Sequence, residues 1–277
     1  MNAPRNASEL NIASIQMVST PSLHENLETA ARLIKAATDC GVQIAVLPEY
    51  FCLMGLKDTD KVNIREAAGS GPIQERLAAI AQENNIYLVA GTIPLEAKES
   101  NKVLNTSLVF DPLGIQIARY DKIHLFGFQT PTERYEESET ISAGSQPGQF
   151  VIQLNEVEWR FGLSICYDLR FPELYRALGQ VDCHIIPAAF THTTGKDHWE
   201  ILLRARAIEN QCYVLASAQG GLHLNQRRTW GESMLVDPWG EILSNLPEGE
   251  GFIQGTLSKD KLKEVRSKLP ALKHRKL

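Results

Sequence analysis

The strongest constraint on this chain is that it repeats itself. Ile12-Ala13-Ser14-Ile15 resembles Gly162-Leu163-Ser164-Ile165, and Ile44-Ala45-Val46-Leu47-Pro48 resembles Cys183-His184-Ile185-Ile186-Pro187. Tyr87-Leu88-Val89-Ala90 resembles Tyr213-Val214-Leu215-Ala216, and LVFDPLG at Leu108 resembles LVDPWG at Leu235. Taken at Ser14/Ser164, Pro48/Pro187, Tyr87/Tyr213 and Asp111/Asp237, the separations are 150, 139, 126 and 126 residues, always in the same order. One match between short apolar strings is common, whereas an ordered series marks an internal duplication.

The first half shows what is duplicated. Asn11 to Val18 reads as a strand, and Ser22 with Glu25 forms a capping box. Leu27, Ala30, Ala31, Ile34 and Ala37 follow at helical spacing, with Gly41 as the stop. Val42 to Leu47 and Ile86 to Ala90 read as buried strands on either side of an amphipathic helix, Pro72 to Asn84. Leu108 to Tyr120 reads as two strands joined by the turn Asp111-Pro112-Leu113-Gly114. A sheet with helices on one face leaves its other face bare, and two such halves bury their bare faces on each other. The expected fold is an α/β, four-layer α-β-β-α sandwich: one domain over residues 10–277 behind a tail of residues 1–9. Residues 123–148 have no counterpart in the first half and are expected to be a long irregular segment, which in a compact domain is usually functional.

With 43% of 277 residues apolar, the chain can fill such a core. A net charge of −5 argues against nucleic acid as the main partner. No stretch approaches 18 apolar residues, so no membrane partner is expected. The N-terminus carries no apolar run of a secretory leader, and the five cysteines include no CxxC pair. Both features predict reduced thiols in the cytoplasm.

Three residues fall at ends of expected strands, where open α/β sheets gather their sites. Cys166 ends an apolar strand and precedes a polar run leading to Pro172, a good first helical residue. Helix N–H groups beside its thiol would favour thiolate; the alternative is a core cysteine, as expected for Cys40, Cys52, Cys183 and Cys212. Glu49, between Pro48 and Tyr50, should lose hydration and so become a better base, unless it is a solvated loop residue. Lys122 lies in an apolar-aromatic run, or else is an exposed edge lysine paired with Asp121. A thiol, a base and a cation are the groups that acyl transfer needs. A Cys–His dyad with His184, His192 or His198 is the competing arrangement.

Leu47-Pro48-Glu49-Tyr50, Tyr120-Asp121-Lys122-Ile123-His124-Leu125-Phe126 and Cys166-Tyr167-Asp168-Leu169-Arg170-Phe171-Pro172-Glu173-Leu174 resemble the three signature blocks of the nitrilase superfamily of carbon–nitrogen hydrolases. His198-Trp199-Glu200 and the run Leu203 to Val214 resemble its Nit branch of amidases. The resemblance implies the same four-layer sandwich, with Cys166 as nucleophile, Glu49 as general base, and Lys122 with the backbone N–H of Tyr167 facing the oxyanion. It further implies an auxiliary glutamate, Glu137, with Glu136 as the competing assignment, and no metal or other cofactor. Thr191 to Asp197 lies where the family closes its pocket, so Thr191, His192, Lys196 and Arg227 are candidate substrate contacts. Asp168 and Arg170 are expected to buttress the turn after Cys166 through ion pairs. The implied partner is a small anionic amide, cleaved to carboxylate and ammonia. Deaminated glutathione is favoured over α-ketoglutaramate by Ala218-Gln219-Gly220-Gly221, by Arg227-Arg228 and by the Asp237-Pro238-Trp239-Gly240 turn. The family commonly forms homodimers or larger assemblies. A non-catalytic scaffold subunit is the alternative from another class, and the intact Glu49, Lys122 and Cys166 set argues against it.

Overall fold

A computed structural model describes residues 7–131, 133–154 and 156–276. Of the expected tail, residues 1–6 lie outside the described residues, and Glu9 already belongs to the first strand. The first half runs β1 (Glu9–Gln16), α1 (Leu23–Asp39), β2 (Ile44–Val46), α2 (Asp60–Asn63), α3 (Pro72–Asn84), β3 (Tyr87–Val89), β4 (Ile93–Glu96), β5 (Val103–Phe110) and β6 (Gln116–Asp121). A hairpin follows, β7 (Gly127–Gln129) and β8 (Arg134–Glu136), so the segment expected to be irregular is partly ordered. The second half runs β9 (Gly148–Leu154), β10 (Val157–Leu163), α4 (Pro172–Ala177), β11 (Cys183–Ala188), α5 (His192–Asn210), β12 (Tyr213–Ala218), β13 (Ser233–Val236) and β14 (Ile242–Leu246). The chain then closes with β15 (Gly251–Ser258) and α6 (Lys259–Lys268).

The two halves pair alike. One sheet has the order β15-β1-β2-β3-β5-β4 with β6 also on β5, and the other has β14-β13-β12-β11-β10-β9. In both, the first three repeated strands are parallel and the next two antiparallel. Even the register shift recurs, between Val109 and Phe110 and between Leu235 and Val236. Asn85 and Gln211, the left-handed residues that end α3 and α5, are likewise counterparts.

One offset needs correcting. Ala45 pairs with Ala13, and its counterpart His184 pairs with Gly162, which sets the separation of β1 and β10 at 149 rather than 150. Ser14 and Ser164 therefore face opposite sides: Ser14 Oγ donates to Ala216 O of the facing sheet, while Ser164 Oγ meets the Tyr175 hydroxyl under α4. A slip of one residue reverses every side chain of a strand, so residue identity alone misplaces the register.

Alternation sorts the core. Leu10, Ile12, Ile44, Val46 and Val89 point to the second sheet, while Ala13, Ile15, Ala45, Leu47 and Leu88 pack under α1 and α3. Ser217 Oγ, donating to Ile15 O and Val46 O, adds a second polar staple across the otherwise apolar layer. A parallel bridge between Met17 and Gln219 shows that both sheets present their C-terminal strand ends at one edge. Glu49, Lys122 and Cys166 all emerge there. α1 starts at Ser22 as expected, with the Glu25 N–H on Ser22 Oγ, but the box is not reciprocal: the Ser22 N–H donates to Thr20 Oγ1, which in turn donates to the Glu25 carboxylate.

Candidate active site

Glu49 follows β2 at a backbone contact that only glycine permits: a Cβ on Gly91, whose φ is +48°, would come within 2.1 Å of Pro48 O. Tyr50 then takes a left-handed φ of +56°, with its N–H on Thr92 Oγ1. The Glu49 carboxylate is buried, as expected, but it is far from bare. Oε1 accepts from Lys122 Nζ at 2.8 Å and from Asn105 Nδ2 at 2.9 Å, and Oε2 accepts from the Ala189 N–H at 2.9 Å. The last bond comes from the other half of the chain.

Lys122 is not an edge lysine. Its side chain is 0% exposed, and Asp121 turns instead to Arg119 and Thr106. The ammonium lies between Glu49 and Glu137, 2.8 Å from each. Burial alone would lower its pKa, but the two carboxylates, Glu137 foremost, hold it above the usual lysine range. Glu137, just past the hairpin, also accepts from the Tyr50 hydroxyl at 2.7 Å and from the Phe126 N–H at 2.8 Å. Burial would raise its carboxyl; the Lys122 charge and hydrogen bond outweigh that and hold it low. Glu136 points away, exposed and bonded to Ser138, so the geometry singles out Glu137.

Cys166 begins the tight turn after β10 with a left-handed φ of +49°, a conformation costly for a residue bearing a Cβ. Asp168 fixes that turn through the Ile165 N–H at 2.8 Å, and it receives the Tyr120 hydroxyl and the His124 backbone and ring nitrogens. Asp168 thus buttresses the turn as expected, whereas Arg170 enters no ion pair among the described residues. Arg170 meets His198 and lies over the Tyr167 and Phe190 rings. The pull of turn N–H groups toward thiolate is outweighed here: burial first, then the Glu49 carboxylate, push the Cys166 thiol well above its ordinary pKa, with Lys122 opposing.

Cys166 lines a narrow cleft with Phe126, Glu137, Tyr167, Thr191 and Arg227. Arg227 also lines a larger cavity of about 750 Å³. There Lys57, Lys61, Arg134, Arg227 and Arg228 outnumber Asp58 and Glu133. His192 lines this outer cavity and Thr191 the inner cleft, but Lys196 is exposed and lines neither. The segment Thr191 to Asp197 is not a loop. Thr191 caps α5, and helical spacing turns Thr194 inward and Lys196 out. None of His184, His192 and His198 lines the cleft around Cys166. His184 is buried beside Tyr175 with neither ring nitrogen bonded, and burial holds its pKa down at about 3.

Three residues that the sequence argument passed over belong to the cluster: Asn105, Tyr50 and Lys61. A polar Asn105 inside an apolar strand is a legible signal, and Tyr50 adjoins Glu49. Lys61 had no local mark.

Residues 11–267 match the family model described as carbon-nitrogen hydrolase. The chain is 42% identical over 267 residues to the deaminated glutathione amidase of Synechocystis sp., covering 95% of this chain and 97% of that one. It is 36% identical to omega-amidase NIT2 of Xenopus tropicalis, covering 97% and 95%. Among solved structures, the NitFhit protein of C. elegans superposes with a TM-score of 0.86 at 35% identity, over 98% of this chain and 66% of that longer one.

Proposed function

Because the chain belongs to the carbon–nitrogen hydrolase family, we propose that Cys166, Glu49 and Lys122 carry an amidase reaction through a thioester, with Glu137 as the residue that aims Lys122. The observation that carries this is the closed cluster itself, two carboxylates on one buried ammonium, with the Cys166 thiol in a cleft that shares Arg227 with the cationic cavity. Burial and the Glu49 carboxylate favour the protonated thiol, whose proton passes to Glu49 as sulfur attacks the amide carbon. The oxyanion is met by Lys122 and the Tyr167 N–H. Glu49 returns the proton to the departing nitrogen, then deprotonates the water that hydrolyses the thioester and passes that proton to the departing Cys166 sulfur, which restores the resting site. Two carboxylate oxygens of Glu137 keep Lys122 charged and in place.

Deaminated glutathione is the substrate we favour, and α-ketoglutaramate is the alternative. Both form the same acyl-enzyme, so only the leaving group separates them. The expected ammonia holds for α-ketoglutaramate; in deaminated glutathione the scissile nitrogen belongs to cysteinylglycine and leaves as that amine. A cavity of about 750 Å³ with an excess of cations supports the larger, doubly charged molecule. Thr191, His192 and Arg227 line its path. The test is to assay the shared five-carbon 2-oxo diacid product from both amides, with ammonia followed in parallel. Higher kcat/KM on deaminated glutathione, lost in Cys166→Ala, is expected; turnover surviving in Cys166→Ala refutes the mechanism, and preference for α-ketoglutaramate refutes the substrate.

The same proposal extends to a homo-oligomer in the cytoplasm. Ile201, Ile208 and Trp239, between 50% and 69% exposed, support self-association, which light scattering reads directly. Five unpaired thiols suit a reducing compartment. Among the described residues, no helix is long and apolar enough to cross a membrane.

A further inference from the structure

We propose that Lys61 and Arg227, held against the same Tyr50 ring, form a paired-cation subsite for the carboxylate on the acyl side of the substrate. The inference rests on the amidase reading above and assigns a ligand to one part of that site.

Lys61 Nζ lies 5.5 Å from the centre of the Tyr50 ring, and the Arg227 guanidinium carbon lies 6.0 Å from it. Neither cation has a close acidic partner among the described residues. Lys61 donates to Thr140 Oγ1, and its nearest carboxylate is Asp58 at 3.9 Å, a side chain that is itself 83% exposed. Arg227 gives one hydrogen bond, from Nη2 to Ala189 O, while its Nε is sealed from solvent with no partner. The Tyr135 ring, 5.2 Å away, fixes the guanidinium from another side. Proteins seldom leave buried cations unpaired, and like charges sharing one ring repel. Burial holds the Lys61 ammonium below its ordinary pKa, and an anion beside it would reverse that.

The charge balance agrees. Lys57, Lys61, Arg134, Arg227 and Arg228 line the cavity against Asp58 and Glu133, so its walls carry an excess of positive charge for an anion. Tyr50 puts its hydroxyl on Glu137 and its ring beside the two cations, so one side chain spans the reacting cluster and the subsite. In a five-carbon monoamide, the carboxylate and amide carbons stand about 5 Å apart across four C–C bonds. On the amidase reading above, the ligand class we infer is a dicarboxylate monoamide of about five carbons, whatever the amide nitrogen carries. A planar, forked guanidinium gives the pair its direction, and the ammonium adds charge.

The experiment compares glutaramate with pentanamide, equal in length and differing in the carboxylate, by calorimetry on Cys166→Ala so that binding is read without turnover. We expect glutaramate to bind at least about 30-fold more tightly. Lys61→Met and Arg227→Gln should each cut that preference about tenfold, whereas Lys61→Arg should keep most of it. Equal weakening of both amides in the neutral variants, an unchanged preference, or no measurable binding of glutaramate overturns the subsite. A failed amidase reading looks different: the protein with Cys166 intact would hydrolyse neither amide while the binding preference stood.

Discussion

Asp168→Asn is the substitution that most directly tests how the site is assembled. Tyr120 and His124 flank Lys122 in sequence, Ile165 precedes Cys166, and Asp168 binds all three. Oδ1 takes the two His124 nitrogens, and Oδ2 takes the Tyr120 hydroxyl and the Ile165 N–H. Whichever way an asparagine amide turns, its NH2 faces a backbone N–H, donor against donor. One buried N–H is then left unpaired, a cost of about 1–3 kcal/mol, and the surviving bonds lose their ionic partner. We expect a loss of about 2–4 kcal/mol, or a Tm lower by roughly 5–10 °C for a chain of this size. Because the same carboxylate sets Lys122 against Cys166, kcat should fall about 10- to 100-fold with KM little changed. Thermal melting by circular dichroism and steady-state kinetics read both. A variant that melts within about 1 °C of the parent and keeps its kcat refutes the strap.

Glu49→Gln should abolish hydrolysis yet speed alkylation of Cys166 at pH 8 by about tenfold for each unit its thiol pKa falls, since that carboxylate is the main charge holding the thiol up; slower labelling than in the parent contradicts this. The depressed Glu137 carboxyl contributes stability that is complete above its unfolded value near 4.5 and is lost as pH falls through the lower folded value. Tm measured from pH 6 to pH 3 should therefore decline, less steeply in Glu137→Gln, and an identical slope in the two proteins counts against the ion pair. Gly91→Ala forces a methyl onto Pro48 O beside Glu49, so it should lower Tm and kcat together; a melting curve like that of the parent means the backbone can give way.

Much of this architecture is written in the chain because a repeated strand order needs only apolar periodicity to be visible. The offset of 126 residues carries from β3 through β6 to β12 through β14, bulge included. The β1 to β10 offset escaped because two serines of the same type face opposite layers, and hydrogen-bond register leaves no mark on residue identity. Glu49, Lys122 and Cys166 were legible as local motifs. Their partners were not: Asn105 is remote from Glu49 in sequence, as Lys61 is from Arg227, and the sheets bring them together. The thiol was misjudged for a related reason. Turn N–H groups can be anticipated from sequence, while the depth of burial, the largest cause of the shift, is set by how the two halves pack.

The repeat has a consequence for how the frame is used. Counted by strand register, the images of Cys166, Glu49 and Lys122 are Met17, Ala188 and Glu248. Met17 and Ala188 are sealed and inert, and Glu248 is engaged at the surface with Arg228. A symmetric scaffold thus offers two equivalent strand ends, and of these one carries the thiol, carboxylate and ammonium. The disarmed end provides support: Gln219, bridged to Met17, donates from Nε2 to Ser19 Oγ and to the carbonyl of Glu49. The silent copy is the brace on which the reactive one rests.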